Sequence, residues 1–227
     1  MIQRLGLGLL WLGLIAYAFG LAPPDQPDTA VLIQRLSTGD WADINPAIVA
    51  LFNVMGIWPM VYAGVALVDG HHQKALAWPF VVGSFGLGAF LLLPYLIWRS
   101  PNPTFSGEKS RLIQLLESRW LGIALTVGAS VLLVYGAIAG DWANFVQQWQ
   151  TSRFIHVMSL DFCLLWLLFP ALLGDDMARR GIQDQRVFWS VTLVPLLGAA
   201  VYLALRSPLI SETEAIASKD EAGYLAP

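Results

Sequence analysis

The residue best placed to do chemistry is one carboxylate in an oily stretch. Asp161 lies near the middle of Phe154–Leu173, which is otherwise almost wholly apolar. A helix rises about 1.5 Å per residue, so a run of this length matches a hydrocarbon core of about 30 Å. At that depth a carboxylate must be protonated, paired or facing water. It could hold a proton or cation, contact a ligand's polar group, or hydrogen-bond to a neighbouring helix. Arg153 lies eight residues away, about 12 Å along the axis, so a partner is expected on another helix.

His156 shares the segment and forms a polar stripe with Ser159 and Cys163. A histidine near a membrane interface can ligate the magnesium of chlorophyll or the iron of a haem, or serve as hydrogen-bonded structure. Asn53 sits 103 residues before His156, the offset at which Val54-Met55 recurs as Val157-Met158. Polar groups at matched depth would line a cavity or pin helices together. After the segment come Asp175, Asp176, Arg179 and Arg180. Asp176 and Arg180 have the i, i+4 spacing of a helical ion pair. The acidic pair superficially resembles magnesium-binding carboxylates of prenyl-transfer enzymes, but no second aspartate cluster stands at a comparable position. No phosphate-binding glycine loop, Ser-His-Asp arrangement or Cys/His metal cluster is legible. No enzymatic activity is therefore expected.

The elements that must position these residues are membrane segments. The chain has 227 residues, with mean hydropathy +0.60 and 13% charged residues. Soluble domains carry about 25% charged residues. Ten Trp and six Tyr suit headgroup belts. The net charge of −3 gives no pull towards nucleic acid. The single cysteine cannot form an internal disulfide.

Six segments have bilayer length: Leu5–Ala22, Pro46–Val68, Ala75–Trp98, Trp120–Ala139, Phe154–Leu173 and Val187–Leu205. The first also resembles a secretory signal peptide, but it lacks a clean cleavage site and is expected to stay as a helix. Leu32–Ile44 reads as an interfacial helix or an ordered loop. A helix is expected from Glu108 to Arg119, capped by Ser106. Pro59 and Pro195 lie deep enough to break their helices. Ser211–Pro227 reads as a polar tail.

Gly39-Asp-Trp-Ala42 recurs at Gly140, and Tyr95-Leu-x-x-Arg-Ser-Pro101 recurs at Tyr202, 107 residues on. With the valine–methionine match, these define an internal repeat. The expected fold is all-α: six transmembrane helices in two three-helix units. Residues 1–103 form the first unit, 104–117 a connecting loop, 118–208 the second unit and 209–227 the tail. An odd number of spans inverts the second copy, a pattern common in transporters. Six spans put Arg35, Arg99, Lys109, Arg111, Arg119, Arg179, Arg180 and Arg186 on one side, read as cytoplasmic or stromal, with both termini on the other. His71 and His72 then lie opposite His156 and cannot pair with it on a haem.

The second unit resembles a family of small three-helix bacterial membrane proteins known only as a domain of unknown function. The resemblance rests on Phe154, Asp161, Met177-Ala-Arg-Arg-Gly181 and Leu193–Arg206. The first unit matches more weakly, through Asn45-Pro46, Phe52 and Leu93-Pro-Tyr-Leu-x-x-Arg99, with Trp58 where the aspartate would stand. Ser152–Phe162 with Asp176-Met177 also looks like membrane proteins of cyanobacteria and plastids. The resemblance implies an integral protein of a thylakoid or plasma membrane and no established activity. The expected function is a non-catalytic protein accompanying or assembling a larger membrane complex. The alternative is a small carrier or channel with Asp161 facing Asn53 at the midplane.

Overall fold

The computed structural model describes residues 2–107 and 109–210, and the described part is helical with no strand. Four helices are long and apolar enough to cross a membrane: α1 (Ile2–Gly20), α3 (Pro46–Asp69), α7 (Arg119–Ala139), and α9 (Arg153–Leu168) with α10 (Pro170–Ala178) taken as one rod. Between them lie α2 (Thr29–Thr38), the pair α4 (Trp78–Leu87) and α5 (Ala89–Trp98), α6 (Arg111–Leu116), α8 (Trp142–Thr151), and the pair α11 (Gln185–Leu193) and α12 (Leu197–Leu205).

Local sequence explains the boundaries. Asn45 accepts a hydrogen bond from Ala47 N at 3.0 Å, and Pro46 opens α3 with no amide to satisfy. Asp141 and Asp184 cap α8 and α11 in the same way. The short helix after residue 108 begins at Arg111 with Ser110 as its cap, not Ser106. The tail after Ile210 lies outside the described residues.

The third and sixth apolar segments do not run straight. Phe80 and Trp98 meet edge to face with centroids 5.6 Å apart, whereas 18 residues of one helix would separate them by about 27 Å. Thus α4 and α5 fold back as a hairpin. Its turn is Gly88, at φ 45° and ψ −126°, a region that excludes side chains. Likewise Arg186 at the start of α11 and Arg206 after α12 border one groove, where a straight helix would hold them about 30 Å apart. Here Pro195 forces Val194 to extend, and Leu196 takes a positive φ of 58°. Pro195 therefore breaks its segment as expected. Pro59 does not, because α3 continues through it.

Hairpins return to the end they left, so the all-helical expectation holds with four helices long and apolar enough to cross, while the six-span, inverted arrangement is not found. Four rods and two hairpins leave both halves pointing the same way. The N-terminal end of α1 meets the end of α5, with Arg4 donating to Arg99 O at 2.9 Å. In the second half, α7 starts against the end of α12: a Cβ on Gly122 would lie 2.3 Å from Ala204 N. Both N-terminal rod ends, both hairpin openings and α6 therefore share one end of the bundle. Ten of the twelve described Lys and Arg residues lie there, leaving Arg35 and Arg153 at the far end. Arg99 lies opposite Arg35, not beside it.

The halves also share one register. Pro46 and Arg153 open equivalent rods 107 residues apart, Trp78 and Gln185 open equivalent hairpin arms, and Trp98 and Leu205 close them. The other two sequence matches are out of this register. Gly39-Asp-Trp-Ala follows α2, whereas Gly140-Asp-Trp-Ala caps and opens α8. The structural mates of His156 and Asp161 are Val49 and Val54, not Asn53 and Trp58.

The largest core cluster lies where α3 crosses α9 and α10. Trp58, Tyr62, Leu165 and Phe169 are its centre, and the Tyr62 hydroxyl donates to Leu165 O at 2.6 Å. A second cluster seats α2 at the far end, with Leu36 against Ile48 and Ile155.

Candidate functional site

Three polar assemblies sit inside this apolar frame. The first is the tip of the α4–α5 hairpin. Asp161 Oδ1 accepts from Ala89 N at 2.9 Å, capping α5 from a different helix. The residue is 5% exposed. A Cβ on Gly88 would lie 1.6 Å from Asp161 Oδ2, so only glycine lets the carboxylate approach. The partner expected on another helix is thus a backbone amide at a helix N-terminus, a favourable place for an anionic oxygen.

The second assembly ties the far end together. The Tyr17 hydroxyl lies 2.8 Å from His156 Nε2, and His156 Nδ1 lies 2.8 Å from Trp149 O. The imidazole stacks on the Trp149 ring at 4.3 Å. Both ring nitrogens are engaged by protein, so ligating chlorophyll magnesium or haem iron would break one of these contacts. Ser159 donates to Ile155 O, and Asn53 donates to Val49 O on its own helix. Cys163 is exposed on the outer face. Neither the polar stripe nor an Asp161–Asn53 pair is assembled.

The third assembly, at the basic end, went largely unread in the sequence. Asp69 receives Arg99 Nε at 2.7 Å, Arg99 Nη2 at 2.6 Å and the Tyr95 hydroxyl at 2.5 Å. Its structural mate Asp176 receives the Tyr202 hydroxyl at 2.8 Å and Arg206 Nη1 at 3.3 Å. The tyrosine follows its aspartate by 26 residues and the arginine by 30 in both halves. That equal spacing was the available signal, and it ran through hairpins that the sequence reads as straight spans. Arg180 Nε meets Asp176 Oδ2 at 2.8 Å, the i, i+4 pair expected, and its other nitrogens grip Glu117. Arg179 bridges the halves, reaching Asp69 Oδ1 at 3.3 Å and Asp176 Oδ1 at 3.4 Å. Asp175 pairs with Arg99 and accepts from Asn102 N at 3.1 Å. Four carboxylates thus face four guanidiniums, and the charges balance. Burial alone would lower the pKa of Arg180, but its bonds to Glu117 and Asp176 outweigh that and raise it.

Beside this network, His71 and His72 border a cavity of 140 Å³ with Asn102 and Phe105. Burial, then the neighbouring His72, lowers the pKa of His71. Among the described residues no group of three or more His, Cys, Asp or Glu could hold a metal ion.

No protein-family model, curated protein or solved structure matches the chain. Fold and interior together define it as an all-helical protein with four helices long and apolar enough to cross a membrane.

Proposed function

We propose that the chain is a non-catalytic integral membrane protein that accompanies or helps assemble a larger membrane complex. One observation carries this reading: the charged groups of the interior are paired with each other, and the buried side-chain atoms left without a partner, Trp58 Nε1, His71 Nδ1, Arg179 Nε, Thr192 Oγ1 and Arg206 Nε, are scattered rather than gathered into one site. Asp161 caps a hairpin, His156 has both nitrogens engaged, and the ionic network is charge-balanced. A carrier needs groups left over for its cargo, and the sealed position of Asp161 argues against a midplane site there.

The matched aspartate–tyrosine–arginine sets support an origin by duplication of a unit of two rods and one hairpin. The crowding of ten basic residues at one end supports a cytoplasmic or stromal position for that end. The resemblance of Ser152–Phe162 to cyanobacterial and plastid proteins extends the proposal to a thylakoid or plasma membrane.

Native purification from membranes, with identification of bound proteins and an absorption spectrum, is the test. The expected result is a colourless protein co-purifying with a larger assembly. A monodisperse lone species in mild detergent would overturn the accessory reading. Vesicles containing the pure protein that took up an ion or solute would favour the carrier.

A further inference from the structure

The two hairpins share a register but not a filling. In the first, the Phe80 ring sits between the arms, against Tyr95 at 6.0 Å and Trp98 at 5.6 Å. The mates of Phe80 and Trp98 in the second hairpin are Val187 and Leu205, both smaller. The space the rings would fill is a groove of 530 Å³ between α11 and α12, floored by Val191, Val194 and Gly198. Its walls are apolar. Its size falls within the roughly 300–1,000 Å³ of small-molecule sites.

The groove has a direction. It starts at Arg186, in the first turn of α11 at the basic end, and runs to Val194 at the hairpin tip. Eight helical residues give it a depth of about 12 Å, close to one leaflet of a core about 30 Å thick. The Arg186 side chain is exposed and has no hydrogen-bond or salt-bridge partner among the described residues, unlike Arg99, Arg179, Arg180 and Arg206. Arg206 borders the same groove but is held by Glu117 and Asp176, so the guanidinium left to complement a phosphate joined to a hydrocarbon chain is that of Arg186.

We propose that this groove seats one acyl chain of an anionic phospholipid, with its phosphate on Arg186. The basic end supplies the attraction for the headgroup. The missing aromatic rings supply room for the chain. The inference rests on the protein lying in a bilayer, and flotation with vesicles tests that premise separately.

The test is native mass spectrometry of the purified full chain in mild detergent, offered phosphatidylglycerol or phosphatidylcholine. Wild type is expected to retain one phosphatidylglycerol in preference to phosphatidylcholine. The double variant Val187→Phe, Leu205→Trp copies the first hairpin's filling and is expected to lose that lipid. Arg186→Gln is a surface change that spares the fold. It should cut phosphatidylglycerol retention about fivefold, the effect of about one unit charge at a membrane surface, and leave phosphatidylcholine unchanged. Full lipid retention by a double variant of wild-type helical content would overturn the proposal. So would equal retention of the two lipids by wild type, or cross-linking from Ser190→Cys to a protein or a second copy rather than to lipid. Should the double variant fail to fold, the Arg186→Gln comparison alone decides.

Discussion

Asp161 acts on the protein's own backbone, and its substitutions separate geometry from charge. Asparagine keeps an acceptor for Ala89 N, so Asp161→Asn is expected to unfold in detergent close to wild type. Asp161→Ala loses the cap and should cost about 1–2 kcal/mol, the range of a lost helix cap. Gly88→Ala should cost more than either, because it combines a positive φ with a Cβ inside the carboxylate. A milder effect for Gly88→Ala than for Asp161→Ala would refute the close approach. The buried ions behave differently. Asp69→Asn leaves Arg99 and Arg179 facing an uncharged group, and removing one partner of a buried pair costs about 3–5 kcal/mol. Chemical denaturation in detergent measures this, with Asp176→Asn expected to match it. The sequence named Asp176 and Arg180 but not Asp69, since a lone aspartate at the end of an apolar run looks like a loop residue. What enlists it is Arg99, which the hairpin carries back to the same end.

At the scale of elements, the hairpins set the topology, and labelling from either side checks it. Cysteines at His72 and Ser100 should react from the same side of the membrane, and one at Trp41 from the other. Opposite sides for His72 and Ser100 would restore a straight third span. Cys163, on the outer face of α9, should resist aqueous reagents and give a clean background. The loop joining α3 to α4 carries a pH response outside the apolar segments. His71 has a lowered pKa, so its neutral form is favoured in the fold and its contribution is complete above the ordinary value of about 6.5. As pH falls below that value the unfolded loop takes up the proton first, and stability is lost through the lowered folded pKa. Protection factors of the amides in residues 70–77, corrected for the base-catalysed intrinsic rate, should therefore fall on acidification, and His71→Phe should abolish the change. Periodicity could not reveal either hairpin, because two short apolar helices in sequence have the hydropathy of one long one. Gly88 and Pro195 mark the turns, but glycine and proline also occur inside unbroken helices, as Pro59 shows.

At the scale of the whole molecule, the two halves are joined by a shared apolar core and by ions. Arg99–Asp175 and Arg179–Asp69 cross between them, and Tyr62 and Leu165 cross at the core. Chains 1–107 and 109–227 expressed separately should each accumulate poorly and be rescued by co-expression, read as co-purification of the pair. Co-purification unaffected by Asp69→Asn together with Arg99→Gln would show that the ionic joint is dispensable. Hydrophobicity by itself determined that this chain is helical and that it has segments of bilayer length. Those properties are local, and composition and spacing carry them. Only the tertiary structure decided that two of the apolar segments fold back as hairpins, and where Asp161 finds its partner. Each of these depends on a reversal at one backbone position, Gly88 or Leu196. A reversal at a single pair of dihedral angles leaves the apolar pattern on either side of it unchanged.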